Sequence, residues 1–264
     1  MKNSSQSFFS TWTIEEIRNY LLPAEDLSET EILLLQNDRR AGVRELVARF
    51  LRRRKQLLEE KNRLCRMSCK EKQLQVKGCL TIAGVDEAGR GPLAGPVVAA
   101  AVILGDQNDL FTWQGVNDSK QLSQNKREKL YQIILDRATA VGLGIVNADI
   151  IDKINIHKAS LEAMKQAVEQ LTPRPDFILV DGFRIPGISL PQEAVKGGDR
   201  LCLTVAAASI VAKVTRDRLM EEYDRLYPGY GLAKNKGYPT SEHRNAIKSL
   251  GLSELHRRTF RTHD

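Results

Sequence analysis

The chain has few cysteines, no long apolar run and no visible targeting segment. Only four of its 264 residues are cysteine, and their uneven placement argues against a disulfide framework. The longest uncharged run is fifteen residues long and contains two prolines, whereas a membrane helix needs about 20 apolar residues. The N-terminus lacks both a sustained apolar stretch and the small-residue cleavage site of a secretory signal. We therefore expect a cytoplasmic protein with reduced cysteines that does not contact membranes.

The composition is equally moderate, with 42% hydrophobic residues, 28% charged residues and a mean hydropathy of −0.34. These values exclude a disordered chain, a collagen-like fibre and a continuous coiled coil. The net charge of +7 is unevenly spread, because residues 1–79 carry +5, residues 80–228 carry −2 and residues 229–264 carry +4. A near-neutral body with basic flanks is compatible with a nucleic-acid enzyme that keeps carboxylates inside and turns basic side chains toward phosphates.

Residues 1–79 are predicted to form a separate helical extension whose role the sequence leaves open. Thr13 with Glu16, and Ser28 with Glu31, have the spacing of a capping box. In that motif a hydroxyl and a carboxylate three residues later accept hydrogen bonds from free backbone N–H groups at the start of a helix. The sequence therefore predicts two short helices that begin at these positions.

A longer helix is predicted over residues 42–67, where apolar side chains recur at helical spacing. Its polar face carries the basic run Arg52–Lys55, which fits a solvated helix face and a phosphate-binding face equally well. At the other end of the chain, residues 229–264 form a basic region. Two short helices are expected there, at residues 241–250 and 253–258.

Residues 80–228 have the pattern of an α/β body. Short β-branched runs predict strands, and amphipathic stretches between them predict helices. The expected strands are residues 80–85, 97–104, 140–146 and 177–180, and the expected helices are residues 123–137, 156–171 and 203–226. Strands that come first and then alternate with helices favour a mixed sheet flanked by helices.

Acidic residues stand at the ends of several predicted segments. Asp86 and Glu87 directly follow a buried strand, Asp181 ends another apolar run, and Asp199 closes a glycine-rich turn. Neighbouring carboxylates in a low-dielectric environment raise each other's pKa, and a bound divalent cation usually offsets their repulsion. Hard oxygen ligands suit Mg²⁺ or Mn²⁺. If the sheet brings these ends together, the four acids form a two-metal hydrolase site.

A glycine-rich loop follows the first acidic pair. Gly89, Gly91 and Gly95 allow a ligand to approach the backbone, and Arg90 between two of them can meet a phosphate. The loop matches neither the phosphate-binding loop of nucleotide triphosphatases nor the dinucleotide-binding fingerprint. It also leads into a strand rather than a helix, which argues against a dinucleotide-binding fold.

Seven segments occur in an order that resembles the bacterial ribonuclease HII family, a branch of the type 2 ribonucleases H. They are GVDEAGRGPLAGP (84–96), NDSK (117–120), VDG (180–182), KGGD (196–199), AAASIVAKVTRD (206–217), KGYPT (236–240) and GLSELHRRTF (251–260). The resemblance implies a ribonuclease H-like fold with a catalytic core over 80–228 and a C-terminal region, 229–264, that completes the nucleic-acid surface. It also implies metal-dependent hydrolysis of the RNA strand of RNA–DNA hybrids.

The resemblance also implies roles for individual residues. The acids Asp86, Glu87, Asp181 and Asp199 would be catalytic and would bind Mn²⁺ or Mg²⁺. The loop Gly89, Arg90 and Gly91 would grip the backbone beside a ribonucleotide, and Tyr238 would lie at the RNA–DNA junction. Incision 5′ of a ribonucleotide would leave 5′-phosphate and 3′-hydroxyl ends, also in a DNA duplex that contains ribonucleotides. KGGD has one glycine more than the family's usual KGD. The alignment of Asp199 with the family's acid is therefore less well fixed than that of the other three acids.

Other polar residues are candidates for weaker roles. Ser209 and Lys213 lie one turn apart on a predicted helix, so that face could reach a phosphate or the acids. Together with Lys120 they are possible nucleic-acid contacts. Three histidines lack metal-ligand spacing and are expected at the surface or against nucleic acid: His157, His243 and His256.

Two alternatives remain beside a monomeric hybrid-cleaving endonuclease. One is the sister enzyme ribonuclease HIII, whose fourth acid is typically glutamate and whose N-terminal domain is β-rich; Asp199 and the helical N-terminus favour ribonuclease HII. The other is a non-catalytic nucleic-acid-binding protein on the same fold. The complete set of acids argues against it, because carboxylates oppose a phosphate backbone unless cations lie between them.

Overall fold

A computed structural model of the chain describes residues 9–24, 26–105 and 109–261. The chain divides into two compact units, Met1–Arg63 and Leu64–Asp264, and the division falls inside the long helix α3. Among the described residues, no helix is both long enough and apolar enough to cross a membrane.

The first unit contains helix α1 (Ile14–Leu21), helix α2 (Glu29–Gln36) and most of helix α3 (Ala41–Met67). The two predicted capping boxes are confirmed: the cap hydroxyl accepts from the third helical N–H, and the glutamate accepts from the cap N–H. The core of this unit consists of apolar side chains from all three helices and from the segments that precede α1 and α2. They are Phe9, Ile17, Leu21, Leu27, Leu35, Val43, Val47 and Phe50.

Much of the basic face of α3 is used inside this unit. The Arg53 guanidinium donates to the carbonyl oxygens of Leu21, Leu22 and Ala24 at 3.0, 2.8 and 2.8 Å. It thereby satisfies carbonyls that the C-terminal end of α1 leaves without a helical partner. Arg54 forms an ion pair with Asp26 at 2.8 Å.

The second unit is built on a five-stranded mixed sheet within the described residues. Its strands are β1 (Ile82–Ala88), β2 (Val97–Ile103), β3 (Ala140–Val146), β4 (Phe177–Asp181) and β5 (Gln192–Val195), in the order β3-β2-β1-β4-β5. β1 is antiparallel to β2 and parallel to β4, and β4 is parallel to β5. The predicted mixed sheet is confirmed. β5 was not predicted, because it is four residues long and largely exposed, so it carries little apolar pattern.

Helices cover both faces of this sheet. They are α4 (Cys69–Val76), α5 (Gln124–Arg137), α6 (Ala148–Ile154), α7 (Ile156–Glu169), α8 (Gly198–Leu201) and α9 (Leu203–Leu226). α7 packs with one apolar cluster, and the alanine-rich side of α9 packs with another. α9 lies so close to β1 that a Cβ on Gly84 would stand 2.1 Å from the Thr204 carbonyl carbon. Only glycine fits at that crossing.

The C-terminal region differs in part from the prediction. Helices α10 (Leu232–Asn235) and α11 (Ser241–Leu250) are present, but the helix expected at 253–258 is wrong. That segment turns and forms a β-bridge between His256 and Ala94, and the Arg257 N–H donates to the Leu93 carbonyl oxygen at 2.8 Å. Within the segment the His256 N–H donates to the Ser253 carbonyl oxygen at 3.1 Å, but the backbone of Leu255 and Arg257 bonds to the loop after β1, so a turn forms in place of a helix.

Candidate active site

The topology brings the four predicted acids to one edge of the sheet. Asp86 and Glu87 lie near the C-terminal end of β1, and Asp181 ends β4. Val85 pairs with Val180 in the parallel register, so each aspartate is the next residue on its strand. Asp199 lies in α8 directly after β5, and the N–H of the preceding Gly198 donates to Asp181 Oδ1 at 2.7 Å.

Burial and mutual repulsion raise the pKa values of three of these acids, Asp86, Glu87 and Asp181. Asp86 is 3% exposed, and burial raises its pKa well above the usual value, as do the charges of Glu87 and Asp181. A hydrogen bond from the Ser209 hydroxyl opposes that rise. Burial also raises the pKa of Glu87, against the attraction of the Arg90 guanidinium 3.1 Å away. The result is a concentrated negative charge that a cation would stabilise.

Asp181 shows the same balance from the β4 side. Burial raises its pKa most, the hydrogen bond from the Gly198 N–H lowers it, and the charge of Asp199 raises it further. Asp181 is therefore part of the same electrostatic group as Asp86 and Glu87.

A lysine already lies among these acids. Lys120 Nζ is 3.3 Å from Asp199 Oδ2 and 3.9 Å from Asp118 Oδ1. Partial burial opposes its protonation, but the charges of Asp199, Asp86 and Asp118 raise its pKa overall. Asp118 is 1% exposed and accepts from the Lys120 N–H at 2.9 Å and from Arg200 Nε at 3.3 Å. Asp118 thus holds the lysine beside the acidic group.

The donor chemistry of the site fits a divalent cation. Four carboxylates whose charges oppose one another offer hard oxygen ligands, which suit Mg²⁺ and Mn²⁺. Within the described ranges, no three His, Cys, Asp or Glu side chains already stand in the geometry of a metal site. The acids therefore match the cation in charge and ligand type, and in this structure one of them, Asp199, forms an ion pair with Lys120.

The glycine loop and Tyr238 form one surface beside the acids. Gly89 has a φ of +96°, which favours glycine, and Arg90 reaches back to Glu87. A Cβ on Gly91 would lie 3.8 Å from Tyr238 Cε1, so the ring lies next to the loop. Tyr238 is 44% exposed, which leaves part of the ring open to a ligand.

The two helical candidates for nucleic-acid contact are engaged within the protein. Ser209 is buried, and its hydroxyl lies 2.9 Å from the Ser119 hydroxyl while it also bonds to Asp86. Lys213 Nζ donates to Asp217 Oδ1 at 2.6 Å. A contact of either residue with nucleic acid stays a prediction. The geometry instead gives Ser209 a role within the protein, which is to hold the Asp86 carboxylate through a hydrogen bond.

The surface placement expected for two histidines is wrong. His243 and His256 are buried, and their Nε2 atoms lie 3.1 Å apart. His243 Nδ1 bonds to the Tyr238 carbonyl oxygen at 2.9 Å, and His256 Nδ1 accepts from the Ser253 N–H at 3.0 Å. Burial lowers both pKa values, and with repulsion from His243 it brings that of His256 to about 4. The neutral pair therefore anchors the backbone of Tyr238.

His157 is exposed, as expected, and packs edge-on against Phe183 with ring centroids 5.0 Å apart. The sequence reasoning missed the inward roles of Asp118 and of two buried arginines, Arg216 and Arg257. All three belong to segments already noted as motifs. No local spacing marks the inward roles of the two arginines, because their partners lie far away in the chain, and Asp118 likewise bonds to Arg200, 82 residues later.

Comparison with known proteins is consistent with this site. A family profile described as Ribonuclease HII matches residues 83–263, and one described as Ribonuclease HII N-terminal domain matches residues 13–75. The chain is 49% identical to the Ribonuclease HII of Lactobacillus acidophilus, over 94% of this chain and 96% of that protein. It is 43% identical to that of Bacillus subtilis, over 95% and 97%.

Solved structures share the fold of more than two thirds of this chain. The ribonuclease H2 of Pyrococcus horikoshii OT3 superposes with a TM-score of 0.60 at 31% identity, over 69% of this chain and 95% of that one. Bst-RNase HIII, solved in complex with Mn²⁺, superposes with a TM-score of 0.55 at 21% identity, over 70% and 68%. The second likeness concerns the fold alone.

Proposed function

This chain belongs to the ribonuclease HII family and is a ribonuclease H endonuclease, and we propose on that premise a specific reaction. It hydrolyses the RNA strand of RNA–DNA hybrids and incises 5′ of a ribonucleotide at RNA–DNA junctions. The observation that carries the proposal is the acidic group at the ends of β1 and β4, which lies beside an open surface made by the glycine loop and Tyr238. We further propose that it acts as a monomer in the cytoplasm.

Asp86, Glu87, Asp181 and Asp199 would hold Mg²⁺ or Mn²⁺. When bound, two such ions supply positive charge for the attacking and departing oxygens of an in-line displacement. The chain itself provides the ligands, and Ser209 and the Gly198 N–H fix two of them through hydrogen bonds. Hydrolysis adds water across the bond between phosphorus and the 3′ oxygen. The water oxygen stays on the 5′-phosphate of the ribonucleotide, and the 3′ oxygen leaves as a hydroxyl.

Recognition of the ribonucleotide would fall to Gly89, Arg90, Gly91 and Tyr238. A 2′-hydroxyl both donates and accepts hydrogen bonds, and it is what distinguishes RNA from DNA at one position. The placement of the Tyr238 ring beside Gly91 supports a shared binding surface for two successive sugars. Residues 229–264 would complete this surface, since Tyr238 belongs to them.

A metal-removal assay tests the proposed reaction. With Mg²⁺ or Mn²⁺ the protein should cut an RNA–DNA hybrid, and EDTA should abolish cutting because the repelling carboxylates need a cation to act on phosphate. Product ends are checked by phosphatase sensitivity and by ligation. A non-catalytic binder would leave the RNA intact under every condition, and that outcome would refute the proposal.

The N-terminal unit has a second, separable role in our proposal. Residues 1–79 carry net positive charge, which would add non-specific affinity for a duplex without contributing chemistry. Arg53 and Arg54 are occupied inside the first unit, so other basic side chains would supply most of this affinity.

The structure indicates where a deletion should end. Leu64 and Met67 belong to the core cluster of α9, and the buried Glu71 accepts from the N–H and hydroxyl of Thr204 at 3.0 and 2.9 Å. Removal of residues 1–79 would take this packing away from the second unit, together with the acceptor of the Thr204 N–H, and would expose the apolar side chains beneath. Removal of residues 1–63 would spare it.

We therefore expect the 1–63 deletion to keep the turnover number at saturating substrate and to flatten the salt dependence of duplex binding. The 1–79 deletion should in addition lower the unfolding temperature by several degrees. Calorimetry measures the unfolding temperature of each deletion variant, and binding titrations at several salt concentrations measure the salt dependence of its affinity. A folded 1–63 deletion without any turnover would show that the N-terminal unit takes part in catalysis.

A further inference from the structure

The loop after β1 is held by a buried arginine, Arg257, whose positive charge is supported by Asp152 without an ion pair between them. Arg257 is fully buried, and no ion pair among the described residues includes it. Burial, with repulsion from Arg216, lowers its pKa to about 9. A buried charge without an ion-pair partner is unfavourable unless polar groups replace the lost water. The hydrogen-bond partners of Arg257 therefore show which polar groups replace the water that burial removes.

All of those partners are backbone carbonyl oxygens of the glycine loop. Arg257 Nη2 donates to Gly89 at 2.6 Å and Nη1 to Arg90 at 3.0 Å. Further bonds run from Nη1 to Pro92 at 2.8 Å, and from Nε and Nη2 to Gly95 at 3.0 and 2.8 Å. Five hydrogen bonds thus turn four carbonyl groups toward one guanidinium. Phe260 lies under it, with the ring centroid 5.0 Å from the guanidinium carbon.

A second buried arginine extends the arrangement. Arg216 donates to the carbonyl oxygens of Pro96, Ala94 and Lys236 at 3.0, 3.2 and 3.0 Å. Its side chain also fills the space beside Gly89, where a Cβ would lie 2.1 Å from Arg216 Nε. The loop carbonyls are therefore fixed from within the protein on two sides.

The direction of the carbonyls decides the direction of the amides. In a trans peptide the C=O and the following N–H point in opposite directions, and the peptides after Gly89 and Arg90 are trans. Because both carbonyls face Arg257, the N–H groups of Arg90 and Gly91 face away from it. Neither N–H has a hydrogen-bond partner in the described part of the chain. The Tyr238 ring stands next to the same stretch of loop, since a Cβ on Gly91 would lie 3.8 Å from Tyr238 Cε1.

We propose that Arg257 is a positioning residue for ribonucleotide recognition, which it achieves by presenting the Arg90 and Gly91 amides as a pair of fixed donors. This inference rests on the proposed function. The donors suit an oxygen acceptor on the ribonucleotide, and their value lies in being oriented before the substrate arrives. Lysine cannot replace the arginine, because one ammonium presents its three donors at a single point and cannot reach carbonyls spread along the loop.

The test compares wild type with Arg257→Lys on two duplexes, one of DNA with a single ribonucleotide and one of DNA alone. We expect KM for the ribonucleotide duplex to rise about tenfold, the scale of one lost hydrogen bond to a substrate. Affinity for the all-DNA duplex should change less than about twofold. Met164→Ala, on the buried face of α7, is the control for lowered stability and should leave the preference unchanged.

A purely structural role for Arg257 would reduce both affinities together, in step with the folded fraction, and would overturn the inference. If Arg257→Lys does not fold, amide NMR of the wild-type protein in EDTA tests the inference instead. The Arg90 and Gly91 amide signals should move with the ribonucleotide duplex and stay in place with DNA. Unmoved signals would overturn the inference. A wild type that shows no preference for the ribonucleotide would instead refute the proposed function.

Discussion

Asp86→Asn should lower the rate of hybrid cleavage at least about 10³-fold, which corresponds to about 4 kcal/mol of lost transition-state stabilisation. The carboxylate lies at the centre of the acidic group, where the charges of Glu87 and Asp181 reach it. Asparagine keeps the shape and the hydrogen bond with Ser209 but removes the negative charge that attracts a cation. Single-turnover cleavage at saturating Mg²⁺ measures the effect.

The same substitution should not harm the fold or the affinity for substrate. The raised pKa of Asp86 means that its ionised form is held unfavourably, so a neutral side chain should leave the unfolding temperature equal or higher. Hybrid binding should persist or tighten, because one repulsion of the phosphates is removed. Asp136→Asn removes the same charge from an exposed position on α5 and should cleave like wild type. A near-normal rate for Asp86→Asn would contradict the assignment of the acids.

The elements that the sequence predicted well carry their signals locally. The capping boxes at Thr13 and Ser28 depend on contacts three residues apart, and the bounds of α9 follow from an unbroken helical stretch that ends before Pro228. The acids at the strand ends were found because a charge directly after an apolar run is visible in the chain itself.

The elements that the sequence missed depend on distant partners. β5 exists because β4 pairs with it, and the turn at 253–258 forms because loop carbonyls more than 150 residues earlier accept from Arg257. His243 and His256 looked like surface residues for the same reason, since nothing in the spacing reveals that they meet. Such contacts form only when the chain folds. They support the candidate site but do not include its acids.

The second large effect concerns Tyr238, which we expect to determine cleavage beside a single ribonucleotide. Its ring is partly exposed and lies next to Gly91, while its carbonyl oxygen is bonded by His243. A flat ring against the neighbouring sugar fits a deoxyribose, whereas a 2′-hydroxyl there would crowd it. Tyr238→Ala should slow incision of a DNA duplex with one ribonucleotide about 10²-fold, or about 2.7 kcal/mol.

Two comparisons separate this reading from a loss of structure. Tyr238→Phe keeps the ring and should retain most of the activity, because contact with the sugar and not the hydroxyl carries the effect. The alanine variant should unfold at the wild-type temperature, since a half-exposed side chain contributes little to the core. Rates on the single-ribonucleotide duplex are then set against rates on an all-RNA strand paired with DNA. If alanine slows both substrates equally, or if phenylalanine is as slow as alanine, the ring does not read the junction, and recognition must rest on the loop amides that Arg257 orients.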